Sequence, residues 1–344
     1  MNRFSEIIGQ DMIVSHLQNA LRTGGASHAY ILNGAKGSGR HMIARSFSAA
    51  LLCENPQEKA GDAPEPCGRC LSCVQAASGS NPDIITLEPE KESSIGVGDI
   101  RKMRADVQVR PYRASHKVYI IPGAEKMTVQ AQNALLKTLE EPPAYAVLLL
   151  LADGTTNFLP TIMSRCVTLP LRPVAEPAVE ACLRERFGAD ETKARLCARF
   201  SGGSIGRAAL LLENEKFAVL REKTIALLRD ITRQDAAELA AFAHETAAEE
   251  ETQDFIDFVL SWNRDLMVCR GTHDTDHLIF TDEVQYIIEA AKKTSWRGLQ
   301  AAAEAVFRAR RRLFSNVNAE LTLQMMLLEI RAAYRNETIP LTEV

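Results

Sequence analysis

The sequence predicts an α/β fold, with a parallel sheet covered by helices on both faces and an all-helical region after it. Short runs rich in branched apolar residues alternate with helical patterns up to about residue 170. Beyond that point the strand signals fade, and helix-period patterns dominate from Lys216 to Tyr334. The chain has 344 residues, which is enough for two or three domains.

Each predicted strand is a short apolar run of the kind found in buried parallel sheets. The five runs are residues 28–33, 84–87, 117–121, 146–151 and 166–169. Helices are predicted between them, at 42–53 and at 127–141. The second of these ends before Pro142 and Pro143, because proline cannot continue a helix. Further on, Pro173 and Pro177 mark a linker into a small helical unit.

Composition and charge exclude some classes of protein. The formal net charge is -4, so the chain as a whole is not a basic nucleic-acid binder, and DNA contact would need a local patch or an assembly. The longest apolar run, Ala146 to Ala152, is too short to span a bilayer. Residues 1–20 lack the pattern of a signal peptide, and we expect a cytoplasmic protein with no membrane contact.

Residues 34–41, here called the phosphate loop, follow the first strand and precede a helix. Gly34, Gly37 and Gly39 fit the strand–loop–helix pattern G-x-x-x-x-G-K-[ST], in which backbone N–H groups face a phosphate. Arg40 replaces the lysine that reaches the phosphates, and His41 replaces the hydroxyl that holds Mg²⁺. The sequence therefore favours a degenerate loop, although a working site with unusual ligands and a chance glycine-rich turn stay open.

A second acidic motif is also missing. ATP hydrolysis needs an Asp, usually followed by Glu, at the end of a later apolar strand. The strand at 117–121 is instead followed by Pro122 and Gly123, and Glu125 comes three residues after Pro122. Two losses together favour a protein that does not hydrolyse ATP.

Four of the eight cysteines lie close together in the sequence. Cys67, Cys70 and Cys73 are spaced three apart, and Cys53 precedes them by 14 residues. Four thiolates are the ligand set of a closed structural zinc site, which would hold the polar loop 54–66 to the fold. Reduced free thiols and an iron–sulfur cluster stay open as alternatives.

A basic run precedes the third strand. Its cations could meet DNA phosphates without reading sequence, or could form a solvated face paired with Glu88, Glu90, Glu92 and Asp99. The six cations are Arg101, Lys102, Arg104, Arg110, Arg113 and Lys117.

Four segments together resemble the AAA+ subunits of bacterial clamp loaders. They are Phe4–Gln10, Gln132–Pro143, Leu159–Cys166 with its Ser-Arg-Cys motif, and Ser201–Arg207, which is similar to the sensor segment of the family's lid. The resemblance covers residues 3–207, whereas residues 213–344 match in type and length only.

The resemblance implies three domains and a metal site. It implies an AAA+ nucleotide-binding-like domain at 1–169 with a zinc module at 53–73, a small helical lid at 170–212, and a helical collar for oligomerisation at 213–344. The family carries zinc at the position of the four cysteines.

The departures from the family pattern favour its delta-prime type over its motor type, which keeps an intact loop and acidic pair. They lie at Arg40, His41, Pro122 and Gly123. The resemblance then implies no intrinsic ATPase and no functional ATP or Mg²⁺ site. It implies a hetero-pentamer with gamma/tau and delta subunits, part of the DNA polymerase III holoenzyme, that places a sliding clamp on primed DNA.

In this family the Ser-Arg-Cys arginine, here Arg165, reaches ATP bound by the next subunit, where a guanidinium stabilises developing phosphate charge. The alternative is a surface arginine paired with a carboxylate. Arg207 resembles a lid arginine that senses nucleotide in cis, and a vestigial or structural role is equally open.

Two other functions compete with this interpretation. One is an active AAA+ ATPase with atypical ligands, for which Mg²⁺-dependent turnover by the chain alone would be the sign. The other is a zinc-dependent DNA-binding module unrelated to replication, for which salt-dependent DNA binding by the chain would be the sign.

Overall fold

A computed structural model of the chain describes residues 3–337, except 57–63, 92, 249–251, 273–274, 276 and 316. Two compact units are present: residues 1–183 with 201–208, and residues 184–200 with 209–344. The three-domain division given above remains a prediction.

The first unit contains a five-stranded, all-parallel sheet in the order β2-β3-β4-β1-β5. Its strands are β1 (Ala29–Asn33), β2 (Ile84–Thr86), β3 (Lys117–Pro122), β4 (Ala146–Ala152) and β5 (Val167–Pro170). Each of the five predicted strands is confirmed, with ends that differ by at most one residue.

Helices cover both faces of this sheet. They are α1 (Asp11–Thr23), α2 (Arg40–Leu51), α3 (Leu71–Ser78), α4 (Val97–Val107), α5 (Val129–Glu140) and α6 (Pro160–Met163). Ile31 of β1 lies in the core on one face with Leu135 of α5. The next residue, Leu32, lies in the core on the other face with Phe47 of α2. This alternation confirms a sheet that is buried on both sides.

The helices after β5 are α7 (Glu176–Phe187), α8 (Glu191–Phe200), α9 (Ile205–Glu213), α10 (Glu215–Asp230), α11 (Ala236–Ala248), α12 (Thr252–Thr272), α13 (Val284–Lys293), α14 (Trp296–Phe314) and α15 (Ala319–Tyr334). No strand occurs among the described residues of this region, so its predicted all-helical character is confirmed there. None of the described helices is long and apolar enough to cross a membrane.

Aromatic side chains build the core of the second unit. The rings of Phe200, Phe217 and Phe258 lie 4.5–5.6 Å apart, centroid to centroid. Asp265, on α12 like Phe258, is fully buried, and its Oδ2 accepts the N–H groups of Ile279 and Phe280 at 2.7 and 3.0 Å. The helical unit therefore has a core of its own.

Candidate functional site

The phosphate loop has the backbone shape that its glycines predict. It leads from the end of β1 to the start of α2, with Gly37 and Gly39 at φ +81° and +98°. Residues other than glycine rarely adopt these values. The N–H of Gly34 donates to the carbonyl of Ala152 at the end of β4, 3.0 Å away. A Cβ at Gly34 would lie 2.8 Å from the side chains of Leu171 and Ser38, so glycine is required there.

Arg40 turns its charge inward. The residue is only 8% exposed, and its guanidinium forms an ion pair with Asp153, which follows β4. The N–H of Asp153 donates in turn to Glu125 Oε2 at 3.2 Å. The cation at the lysine position is therefore neutralised by a carboxylate of the same chain.

His41 and the end of β3 offer little to a metal–nucleotide complex. Partial loss of solvation and the neighbouring Arg40 and Arg45 lower the pKa of His41, so the ring is neutral at pH 7. Gly123 has φ +63° and opens a short 3₁₀ helix at Ala124–Lys126. Glu125 lies within that turn, where its carboxylate meets the backbone of Asp153.

The segment 201–207, here called the lid segment, lies against the phosphate loop. Ser204 Oγ donates to the carbonyl of Lys36 at 3.1 Å, and the N–H of Gly206 donates to the carbonyl of Gly37 at 3.0 Å. A Cβ at Gly206 would lie 2.8 Å from Gly37 Cα. Sequence reasoning missed this contact. Its signal in the sequence was the small residues that allow the two segments to approach, Gly37 in the loop and Ser204 and Gly206 in the lid segment.

The four cysteines predicted to bind zinc lie together. The Sγ atoms of Cys53, Cys67, Cys70 and Cys73 all lie within 4.8 Å of one another. Tetrahedral zinc with bonds of about 2.3 Å would need sulfurs roughly 3.8 Å apart, and the Sγ atoms of Cys67 and Cys73 are 3.9 Å apart. The positions fit the metal after small adjustments.

The charges of the cluster also fit a cation. Burial alone would raise the pKa of Cys67, but N–H groups of Arg69 and Cys70 and the neighbouring thiols lower it to about 6. Burial and the nearby sulfurs raise the pKa of Cys73. Four adjacent thiols cannot all ionise unless a cation compensates them, which is the situation that Zn²⁺ resolves.

The cysteine cluster is joined to two distant segments of the chain. Glu65 accepts the N–H groups of Phe4 and Ser5, both at 3.1 Å. Glu54 forms an ion pair with Arg113 at 3.2 Å. The predicted polar loop 54–66 is described only at its two ends, because residues 57–63 lie outside the described part of the chain.

Arg165 lies between α6 and β5. Its Nη2 pairs with Glu140 Oε1 at 2.9 Å, and its Nη1 donates to the carbonyl of Thr161 at 3.1 Å. The side chain is 35% exposed. The next residue, Cys166, has its pKa raised to about 12 by burial, so the thiol is inert. The structure thus places the arginine at the surface, with a carboxylate partner.

Half of the basic run is paired with acidic side chains. Lys102 meets Glu90 at 2.6 Å, Arg113 meets Glu54, and buried Lys117 meets Asp106 at 2.9 Å. Asp99, expected among the partners, instead accepts the N–H groups of Gly96 and Glu90 at the start of α4. Glu92 lies outside the described residues.

Comparison with known proteins identifies the family. The family described as "DNA polymerase III, delta subunit" matches residues 9–175, and its C-terminal counterpart matches residues 218–332. The DNA polymerase III subunit delta-prime of Bacillus subtilis is 30% identical over 94% of this chain and 96% of its own. The chain belongs to the delta-prime family of DNA polymerase III subunits. The resemblance carried by the four sequence motifs is thereby confirmed.

Other relatives fall within the same group of subunits. A delta-prime protein of Pseudomonas aeruginosa is 30% identical over 88% of this chain and 91% of its own. The tau subunit of Bacillus subtilis is 33% identical, but over 61% of this chain and 37% of tau. A solved gamma subunit-related protein of Thermotoga maritima is 20% identical over 93% and 99% of the two chains with a TM-score of 0.40, too distant to carry an argument.

Proposed function

We propose that the chain is a non-hydrolysing subunit of the DNA polymerase III clamp loader that supplies Arg165 to the ATP site of a neighbouring subunit. It acts in a hetero-pentamer with gamma/tau and delta subunits that places a sliding clamp on primed DNA. The observation that carries the proposal is the ion pair between Arg40 and Asp153. Arg40 stands where an active ATPase has its catalytic lysine, and the pair balances its charge.

Three features of the phosphate loop and its surroundings support the absence of ATP hydrolysis. The charge of Arg40 is neutralised within the chain. Pro122 and Gly123 supply no carboxylate for Mg²⁺ or water. The lid segment already binds the carbonyls of Lys36 and Gly37. Arg40, the cation that would otherwise face the phosphates, therefore has its partner within the protein.

Arg165 suits action on a neighbour. A guanidinium presents several N–H donors in one plane, and two of its nitrogens account for the contacts with Glu140 and Thr161. Its side chain is 35% exposed, which supports contact with a phosphate on another subunit. A guanidinium in that position stabilises the charge that develops as ATP is cleaved.

Zn²⁺ at the four cysteines would have a structural role. With four protein thiolates the coordination is closed, so no position is left for a substrate. The metal would fix Glu54 and Glu65, and through them Arg113 and the backbone of Phe4 and Ser5. Cys53, Cys67, Cys70 and Cys73 would be its ligands.

The proposal is tested in the reconstituted clamp loader. Arg165→Ala should lower DNA-stimulated ATP hydrolysis at the neighbouring site by about 10³-fold, the lower end for loss of an arginine finger. Arg165→Lys keeps the charge but loses the planar fork, so its rate of hydrolysis should lie between those of the wild type and Arg165→Ala. Arg22→Ala, at an exposed position on α1, is the matched control and should leave the rate unchanged. Normal hydrolysis by the Arg165→Ala assembly would contradict the proposal.

One observation favours the second candidate, an ATPase with atypical ligands. Ser38 Oγ, inside the phosphate loop, has no hydrogen-bond partner among the described residues, so the loop keeps one donor for an anion. Mg²⁺-dependent ATP turnover by the purified chain alone would establish this function and overturn the first.

The basic run would act through the assembled ring, so DNA binding by the isolated chain should be weak at physiological salt.

A further inference from the structure

The guanidinium of Arg165 is folded back onto its own subunit. Its Nη2 meets Glu140 at 2.9 Å, and its Nη1 meets the carbonyl of Thr161 at 3.1 Å and Ser164 Oγ at 3.3 Å. Glu140 is the last residue of α5, and Thr161 belongs to the single turn α6. Both terminal nitrogens are therefore engaged within the chain.

This arrangement balances the charge of the arginine. The pair formed by a guanidinium and one carboxylate has no net charge, so it attracts a distant phosphate far less than a free guanidinium does. To stabilise phosphate charge fully, Arg165 must leave Glu140 or share its donors with a stronger anion.

The pair is also easy to open. The side chains of Arg165 and Glu140 are 35% and 49% exposed, so water can replace each partner. Exposed ion pairs of this kind contribute little to stability. By contrast, the Arg40 side chain in its pair with Asp153 is 9% exposed, although the Asp153 side chain is 50% exposed. Exposure thus separates a fixed pair from an exchangeable one.

We propose that Glu140 is a latch that balances the charge of Arg165 and keeps its side chain retracted until a neighbouring subunit presents ATP. The proposal rests on the trans role of Arg165 given above. A triphosphate carries more negative charge than one carboxylate and accepts charge-assisted hydrogen bonds through several oxygens. Arg165 therefore transfers from Glu140 to the nucleotide only when the neighbouring site is filled. Glu140 is a positioning residue and touches no nucleotide itself.

The test uses the full clamp loader and its ATP kinetics. Glu140→Gln keeps the shape of the side chain but removes its charge, so Arg165 is released more easily. We expect kcat/KM for ATP to rise by about 1.5- to 5-fold, the range that corresponds to the free energy of an exposed ion pair. Glu141→Gln removes the neighbouring exposed carboxylate without removing the pair, and should leave kcat/KM unchanged.

A double variant separates the latch from the finger. Glu140→Gln should give no gain in an Arg165→Ala background, because the latch acts only through Arg165. If Arg165→Ala abolishes stimulation while Glu140→Gln leaves kcat/KM unchanged or lowers it, the latch is wrong and the finger stands. A gain from Glu140→Gln that persists without Arg165 overturns the latch as well. If Arg165→Ala has no effect, the finger itself fails, and the latch with it.

Discussion

The phosphate loop and the cysteine cluster are both shaped for a charged ligand, but they differ in what balances their charge. In the loop, Arg40 has Asp153, and the carbonyls of Lys36 and Gly37 have the lid segment. In the cluster, four thiols face one another, and burial raises the pKa of Cys73. The difference teaches that the shape of a site does not show whether it needs a ligand. The balance of charge at its centre does.

The largest expected effect is loss of the proposed zinc ion. Cys73→Ser should reduce the bound zinc, measured by elemental analysis, and lower the stability of the first unit, because structural zinc contributes folding free energy directly. A loss of about 4 kcal/mol, far below zinc-finger values since the sheet has its own core, corresponds to roughly 10 °C in Tm. Cys197→Ser, a buried cysteine outside the cluster, should keep full zinc content. Equal zinc in both variants would contradict the site.

Gly206→Ala should have the next largest effect, because its Cβ would lie 2.8 Å from Gly37 Cα. Overpacking of this kind costs about 2 kcal/mol, measured by urea unfolding. Gly98→Ala in α4 is the control of opposite sign. Its Cβ would meet open space, so alanine should stabilise the helix by about 0.5 kcal/mol. If both variants unfold at the wild-type urea concentration, the lid segment does not lie tightly on the phosphate loop.

Arg40→Ala should cost somewhat less, about 1–2 kcal/mol, because half-exposed Asp153 regains water when its partner is removed. The same unfolding measurement checks it, with Arg22→Ala on the surface of α1 expected within about 0.5 kcal/mol of wild type. Unchanged stability in the Arg40→Ala variant would mean that the ion pair does not close the loop.

The smallest expected effect concerns pH at His41. Its pKa in the folded chain lies below the ordinary 6.5, so the unfolded chain binds the proton first as pH falls. Stability should therefore decrease from about pH 6.5 down to the folded pKa and then level off. His41→Gln should remove this part of the pH dependence in urea titrations. A histidine signal that titrates above 6.5 by NMR would contradict the lowered pKa.

The sequence predicted those features that depend on neighbouring residues. Apolar runs such as 146–151 located the strands, because a strand buried on both faces must be apolar throughout. Glycine spacing located the phosphate loop, and cysteine spacing located the four thiols. Each signal lies within a few residues of the feature that it predicts.

The partners of these groups could not be predicted, because the chain brings them together from afar. Ser204 and Lys36 are 168 residues apart, and Glu65 and Phe4 are 61 residues apart. Nothing local marks Asp153 as the partner of Arg40. The same limit explains why Asp99 was expected to pair with a cation, although it accepts N–H groups at the start of its own helix.

The hydrogen bonds from Phe4 and Ser5 to Glu65 have a practical consequence. Glu65 lies two residues before Cys67, so a change in the position of Cys67 should also move the backbone of Phe4 and Ser5. A fluorophore attached ahead of Arg3 should therefore change its emission when zinc is added or withdrawn. The fluorescence of this label would then report whether zinc is bound.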